Sequence, residues 1–228
     1  GVDLPQGGPH THPTGAEELV VSLSVGGGLE PIQYAVDDRP SFALYGDGTF
    51  LRPSSTDVSY PGMDAYRLSE DGIQAVLAAA EDAGLLAEGV DYGIPNVYDA
   101  PAASLSITAD GRSYFHGIGA PGIGDDDPSL TDAQREARRR ESGFESFLGS
   151  LPDAHPELLV EAPHPYDLRA VDVNAWQSES YEGATVEDWP LDRPLGKLRG
   201  EGLSSGLCGT ISGDDLLRLR TELSARSA

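Results

Sequence analysis

The sequence predicts an α+β fold: an antiparallel sheet built from two degenerate ββα units with helices on one face, followed by a smaller proline-rich C-terminal part. Three observations carry this expectation. Two Asp-Gly pairs, Asp47-Gly48 and Asp110-Gly111, each lie between short apolar runs, the strongest local mark of a β-hairpin. Each hairpin is followed by a capped helical pattern across a similar gap, residues 48–68 and 111–130, so the arrangement repeats after about 63 residues. From Pro152 onward the texture changes, with Pro156, Pro163, Pro165, Pro190 and Pro194 breaking a segment that holds both tryptophans.

Taken in order, residues 1–18 carry Gly7-Gly8-Pro9, Pro13 and Gly15 and read as a flexible tether. Residues 19–25 alternate, placing Val21, Leu23 and Val25 on one face of a strand that ends at Gly26-Gly27-Gly28. Residues 41–52 form the first hairpin; a two-residue turn at Asp47-Gly48 pairs Leu44 with Leu51 and puts Phe42 on the same face. A polar loop over 53–61 leads into a short strand through Tyr66. The first helix starts at the N-cap Ser69, with Glu70 and Asp71 where the helix dipole favours acids. Leu68 can staple onto Ile73, a buried stripe runs through Ile73, Val76, Leu77 and Ala80, and Gly84 is the stop. The second hairpin sets Ile107 opposite Tyr114 and Leu105 opposite His116. Thr131-Asp132-Ala133-Gln134 is a capping box opening a second helix, which buries Ala137, Phe144, Phe147 and Leu148. A strand over 168–173 and a third capped helix after Ser212, with Ile211 stapled onto Leu216, complete the reading. The expected organisation is a tether over 1–18, a main domain over 19–152 and a C-terminal subdomain over 153–228.

Charge excludes more than it identifies. The chain has 228 residues, 38 acidic against 15 basic, and a formal net charge of −23. Counterion-releasing phosphate contacts need clustered cations, so nucleic acid is not an expected partner, and an anionic membrane surface is excluded on the same ground. No apolar run approaches the ~20 residues of a membrane span. One lysine, Lys197, against fourteen arginines is the usage of a GC-rich genome, with a halophile as the alternative. The single Cys208 can form no internal disulfide. The chain opens Gly1-Val2-Asp3 without methionine, so either a leader has been removed or the chain has been cut here.

Several motifs read as structural. Gly202-Leu203-Ser204-Ser205-Gly206 matches the G-x-S-x-G elbow of hydrolases, but no histidine follows it, the last being His164. Gly117-Ile118-Gly119-Ala120-Pro121-Gly122 matches G-x-G-x-x-G, but Asp125-Asp126-Asp127-Pro128 stands where a phosphate-binding helix should begin. His10 and His12 share a face of an extended tether with no carboxylate near in sequence, too few ligands for zinc or copper. His116 falls on the apolar face and reads as a satisfied core histidine. Cys208 reads as an inert thiol. The Arg138-Arg139-Arg140 run reads as a solvated face pairing with Glu136, Glu141 and Glu145, with partner docking as the alternative.

Two places are candidate sites. The loop over 89–101 gathers Asp91, Tyr92, Asn96, Tyr98 and Asp99, polar aromatics mixed with acids as in ligand or partner sites. The turn over 124–132 packs Asp125, Asp126, Asp127 and Asp132, hard oxygen donors suited to Ca²⁺, against the alternative of a solvated helix-entry loop. No other cofactor is expected.

Phe42-Ala43-Leu44-Tyr45-Gly46-Asp47-Gly48-Thr49, Tyr66-Arg67-Leu68-Ser69, Gly72-Ile73-Gln74 and Ala83-Gly84-Leu85-Leu86 together resemble a family of exported actinobacterial proteins, many of them lipoproteins without a known activity. Asp91-Tyr92-Gly93, Asp99-Ala100-Pro101, Asp110-Gly111-Arg112 and Gln134-Arg135-Glu136-Ala137-Arg138-Arg139 are similar to the same pattern. The resemblance spans about residues 19–150, and more loosely Trp189 and 208–215. It implies an actinobacterial origin, export to a secreted or lipid-anchored state, and a further strand beyond Ala228. It implies no activity. The function expected is therefore a non-catalytic binding or interaction protein of the cell envelope, its partner a protein or small molecule. An extracellular enzyme of unrecognised class, a hydrolase, is the alternative. An exposed apolar or aromatic patch would favour the first, and an open cleft with convergent, perturbed acids or histidines the second.

Overall fold

A computed structural model describes residues 4–5, 7–28, 40–54, 62–167, 169–175, 189–192 and 207–226. The fold is α+β. A seven-stranded antiparallel sheet runs in the order β6-β5-β1-β2-β3-β4-β7, from β1 (Leu19–Gly26), β2 (Phe42–Tyr45), β3 (Thr49–Pro53), β4 (Met63–Leu68), β5 (Ala102–Ala109), β6 (Arg112–Gly119) and β7 (Leu159–Pro165). The first strand in sequence sits mid-sheet, flanked by the two hairpins. Helices α1 (Glu70–Asp82) and α2 (Asp132–Ala154) bury their apolar stripes in one cluster with Val21, Leu23, Leu44, Phe50, Leu105 and Ile107. On the first hairpin and β4, alternation sends Ala43, Leu51, Met63 and Ala65 to a second, smaller cluster.

Local chemistry fixes the ends of these elements. The Ser69 hydroxyl accepts the Gly72 N–H at 3.2 Å, and Gly84, at φ +73°, closes α1 with the Leu85 N–H on the Ala80 carbonyl (2.8 Å). The capping box of Thr131 and Gln134 is formed at α2. Asp110 and Gly111 both take left-handed backbone, φ +53° and +71°, making a two-residue turn with the expected pairs Leu105 with His116 and Ile107 with Tyr114.

The first hairpin differs by one residue. Leu44 pairs with Phe50 and Ala43 with Leu51, because the Gly48 N–H closes the turn on the Tyr45 carbonyl (2.9 Å). Gly46 and Asp47 are therefore the central residues, and Gly48, at φ +90°, is a bulge. Phe42 then stacks on Phe50, ring centroids 6.0 Å apart.

Three other expectations change. The main sheet does not end at residue 152: Pro152 lies inside the last turn of α2, and β7 pairs with β4 beyond it. The strand expected at 168–173 is β8 (Ala170–Ala175), paired with β9 (Leu207–Ser212) in a separate two-stranded sheet, and α3 (Gly213–Arg226) follows. Leu191, Ile211, Leu216 and Leu219 form a cluster there with Trp189 against it. The segment before β1 is not free over residues 7–18. The Gly46 N–H donates to the Glu18 carbonyl at 2.8 Å, and the Asp110 N–H to the Thr11 carbonyl at 2.8 Å. The repeat is imperfect as well, since the first unit inserts β4 between hairpin and helix where the second has only a turn.

Candidate functional site

The chemistry-bearing residues gather in the second unit, where the 89–101 loop and the turn after β6 meet α2. On β6, alternation turns Tyr114, His116 and Ile118 inward. The His116 Nε2 donates to the Leu85 carbonyl at 2.8 Å, which leaves Nδ1 to accept the Tyr92 hydroxyl at 3.0 Å. The two rings meet edge to face at 5.8 Å. His116 is thus a satisfied core histidine. Burial, and then the charge of Glu141, push the Tyr92 phenol far above its ordinary range.

The loop is fastened to the start of α2 by bonds between its own polar groups. Asp91 Oδ1 accepts the Gly93 N–H and Oδ2 the Gln134 amide, both at 2.9 Å, which hold its carboxyl below the usual range. Gly93 has φ +59°, and a Cβ there would lie 2.7 Å from Leu130, so the approach of loop to helix requires glycine. Asp127 accepts the Ser129 hydroxyl (2.6 Å), the Ser129 N–H (2.8 Å) and the Asn96 N–H (2.9 Å), and its carboxyl is lowered by the same bonds.

The five loop candidates do not converge. Tyr92 points into the core, while Asp91 and the Asn96 backbone fasten the loop to α2 and to the 124–132 turn. Tyr98 and Asp99 face solvent, Asp99 with φ +56°. Of the four turn acids, Asp125 accepts Arg138 Nε at 2.6 Å, Asp132 accepts Arg135 at 2.7 Å, Asp127 is engaged as above and Asp126 is exposed. They serve different partners. Among the described residues no group of three or more His, Cys, Asp or Glu side chains is arranged to hold a metal ion.

Sequence reasoning missed the two charged residues that matter most here. Arg139 and Arg140 are surface residues pairing with Glu136 at 2.8 and 3.0 Å. Arg138 is not part of that solvated face: it is 1% exposed and donates to the Gly119 (2.9 Å), Ala120 (2.6 Å) and Ile123 (3.4 Å) carbonyls as well as to Asp125. One guanidinium thereby ties together the turn after β6, through the third and fourth positions of the G-x-G-x-x-G stretch and the carbonyl of Ile123 beyond it. Glu141, also 1% exposed, has no hydrogen-bond partner on either carboxylate oxygen. Burial and the Glu145 and Asp125 charges push its carboxyl up to about 7, although Arg138 pulls the other way. The signal for this was its place on the stripe of Ala137, Phe144 and Leu148.

Arg138 and Glu141 are both buried, Arg138 against the carbonyls of the turn and Glu141 without a hydrogen-bond partner. The exposed side chains of this unit are of another kind: Ile94 (82%), Tyr98 (85%) and Phe115 (81%) are large, apolar or aromatic, and solvated. Compared with protein families, with curated proteins and with solved structures, the chain gives no match. Among the described residues no helix is long and apolar enough to cross a membrane. The G-x-S-x-G stretch at 202–206 lies outside the described residues, and Cys208 falls in β9.

Proposed function

We propose that this protein is an exported, non-catalytic binding or interaction protein of the cell envelope that engages its partner through the second unit. The observation that carries this reading is the exposure of Ile94, Tyr98 and Phe115 on the loop into β5 and on β6, an edge strand among the described residues. Large, highly exposed apolar and aromatic side chains are the kind that binding surfaces present. Asp91, the Asn96 backbone and Asp127 fasten the loop that carries Ile94 and Tyr98 to α2 and the turn, and Phe115 stands on β6. The net charge of −23 supports a protein or small-molecule partner over nucleic acid or an anionic lipid surface. Export and lipid anchoring rest on the family resemblance of residues 19–150 and are tested by fractionating cells that make the full-length product. Recovery in the cytoplasm alone would refute them. Binding is tested by co-sedimentation with actinobacterial envelope material. The triple variant Ile94→Ser, Tyr98→Ser, Phe115→Ser is expected to stay folded and to lose binding, and equal sedimentation of the variant and the parent would refute this surface.

A further inference from the structure

Among the described residues β6 is paired on one side only, with β5. The two run residue for residue, from Ala109 with Arg112 to Ala102 with Gly119, without a bulge. In an antiparallel ladder successive residues alternate, one bonding the neighbouring strand and the next pointing its N–H and C=O away from it. The two-residue turn at Asp110-Gly111 makes Ala109 with Arg112 a bonded pair, and at the other end the Ala120 N–H donates to the Pro101 carbonyl at 2.8 Å. Even-numbered residues of β6 therefore bond β5, while Ser113, Phe115, Gly117 and Gly119 direct their main-chain groups outward. Arg138 takes the Gly119 carbonyl at 2.9 Å, so the open row is the N–H and C=O of Ser113, Phe115 and Gly117 and the N–H of Gly119. None of these groups has a partner among the described residues.

Proteins ordinarily guard such an edge with proline, lysine, a bulge or an inward-pointing charge. The opposite edge of this sheet is guarded: β7 carries Pro163 and Pro165, and its register with β4 shifts twice. β6 has no proline, no lysine, no acid and no bulge, and its one arginine, Arg112, stands at the first position, outside the open row. Its outer face is open too. Phe115 is 81% exposed, Ser113 and Gly117 are exposed, and a Cβ on Gly117 or Gly119 would meet nothing within 4 Å.

Resting on the binding role given to the second unit above, we propose that β6 takes an extended, basic segment of a partner protein as an added strand of the sheet. An outward N–H and C=O at every second residue is matched in full only by another extended main chain, which bonds it whatever its side chains are. Selectivity comes from the outer face, where an apolar side chain of the added strand lies over the open Gly117 and against Phe115. Every pairing in the sheet is antiparallel, so the added strand continues the pattern by running antiparallel to β6. Charge decides the occupant. A second copy of the chain would bring another net charge of −23 to the same edge, whereas a basic segment is drawn to that charge and meets no cation along the open row.

The test removes outward N–H groups without touching the β5 ladder. Ser113→Pro and Gly117→Pro each delete a donor that β5 does not use, and each should stay folded. Co-sedimentation with actinobacterial envelope material should weaken about tenfold in each, since one main-chain bond is lost and its acceptor left unpaired. Digesting that material with protease beforehand should abolish binding of the parent. Residue-resolved amide exchange of the parent on the same material should slow at Ser113, Phe115 and Gly117, and this measurement decides the matter if a proline variant fails to fold; no slowing there overturns strand addition. Folded proline variants that bind as the parent does, while the triple variant Ile94→Ser, Tyr98→Ser, Phe115→Ser does not, overturn strand addition and leave the binding surface standing. A parent that does not sediment, or undiminished binding by the triple and proline variants alike, refutes the surface and strand addition together. Binding that survives the protease, or a dimer of the free chain in sedimentation equilibrium that the proline variants break, overturns the partner strand as the occupant.

Discussion

Replacing Glu141 by glutamine should change how stability depends on pH. Its carboxyl sits at about 7 in the folded protein against an ordinary value of 4.5. The folded chain therefore holds this proton more tightly than the unfolded chain does. Between those values folding is coupled to proton binding, and stability falls as pH rises. At about 1.36 kcal/mol per pH unit, the gap amounts to about 3 kcal/mol, absent below about pH 4.5 and fully expressed above about pH 7. The glutamine keeps the shape without the charge, and its buried amide is left as unpaired as the protonated acid, so near pH 5 the variant and parent should melt alike. By about pH 8 the variant should be more stable by about 2–3 kcal/mol, or roughly 5–10 °C in melting temperature for a chain of this size. Thermal melts followed by circular dichroism across that range give the comparison. Parallel pH profiles for the variant and parent would refute the buried, unpaired carboxylate.

Other perturbations separate the remaining parts. Arg138→Ala should lower stability by about 3 kcal/mol, since Asp125 and three carbonyls lose their donor, and Arg138→Lys should recover little because an ammonium cannot fork among them; denaturant melts measure both. Tyr92→Phe should cost about 1 kcal/mol by removing the hydroxyl from His116, as read by denaturant melts. Gly48→Ala should cost about 2 kcal/mol, because φ is +90° and the new Cβ meets the Leu68 carbonyl. Millimolar Ca²⁺ against EDTA should leave the melting temperature unchanged, since Asp125, Asp127 and Asp132 already serve Arg138, the Ser129 and Asn96 donors, and Arg135. A rise of several degrees would reinstate the turn as a calcium site.

What was legible in the sequence was what is local. Caps at Ser69 and Thr131, the Gly84 stop and the apolar stripes of both helices follow from residues within one or two turns of each other. The same Asp-Gly pair nevertheless made two different turns. Asp110 itself adopts left-handed backbone, whereas Gly46 ahead of Asp47 takes a central position and pushes Gly48 into a bulge, shifting the register by one. Strand β7 was hidden by Pro163 and Pro165, which a central strand would not tolerate; among the described residues it is an edge strand, bonded to β4 alone, where missing N–H groups can face away from the ladder. The burial of Arg138 and Glu141 was hidden because charges on a helix are ordinarily solvated. The docking of residues 7–18 has no periodicity to read, since its partners, Gln74 and Asp110, are 64 and about 100 residues away.

The claim that the exposed apolar side chains of the second unit are its binding surface is tested most directly by an exchange footprint. Amide exchange of the full chain is recorded with and without the envelope material of the co-sedimentation test. Protection gained at residues 94–98 and along β6 around Phe115, with the 124–132 turn unchanged, is the predicted result. Protection at the turn or on the β7 edge instead, or no protection anywhere in the second unit, would contradict it.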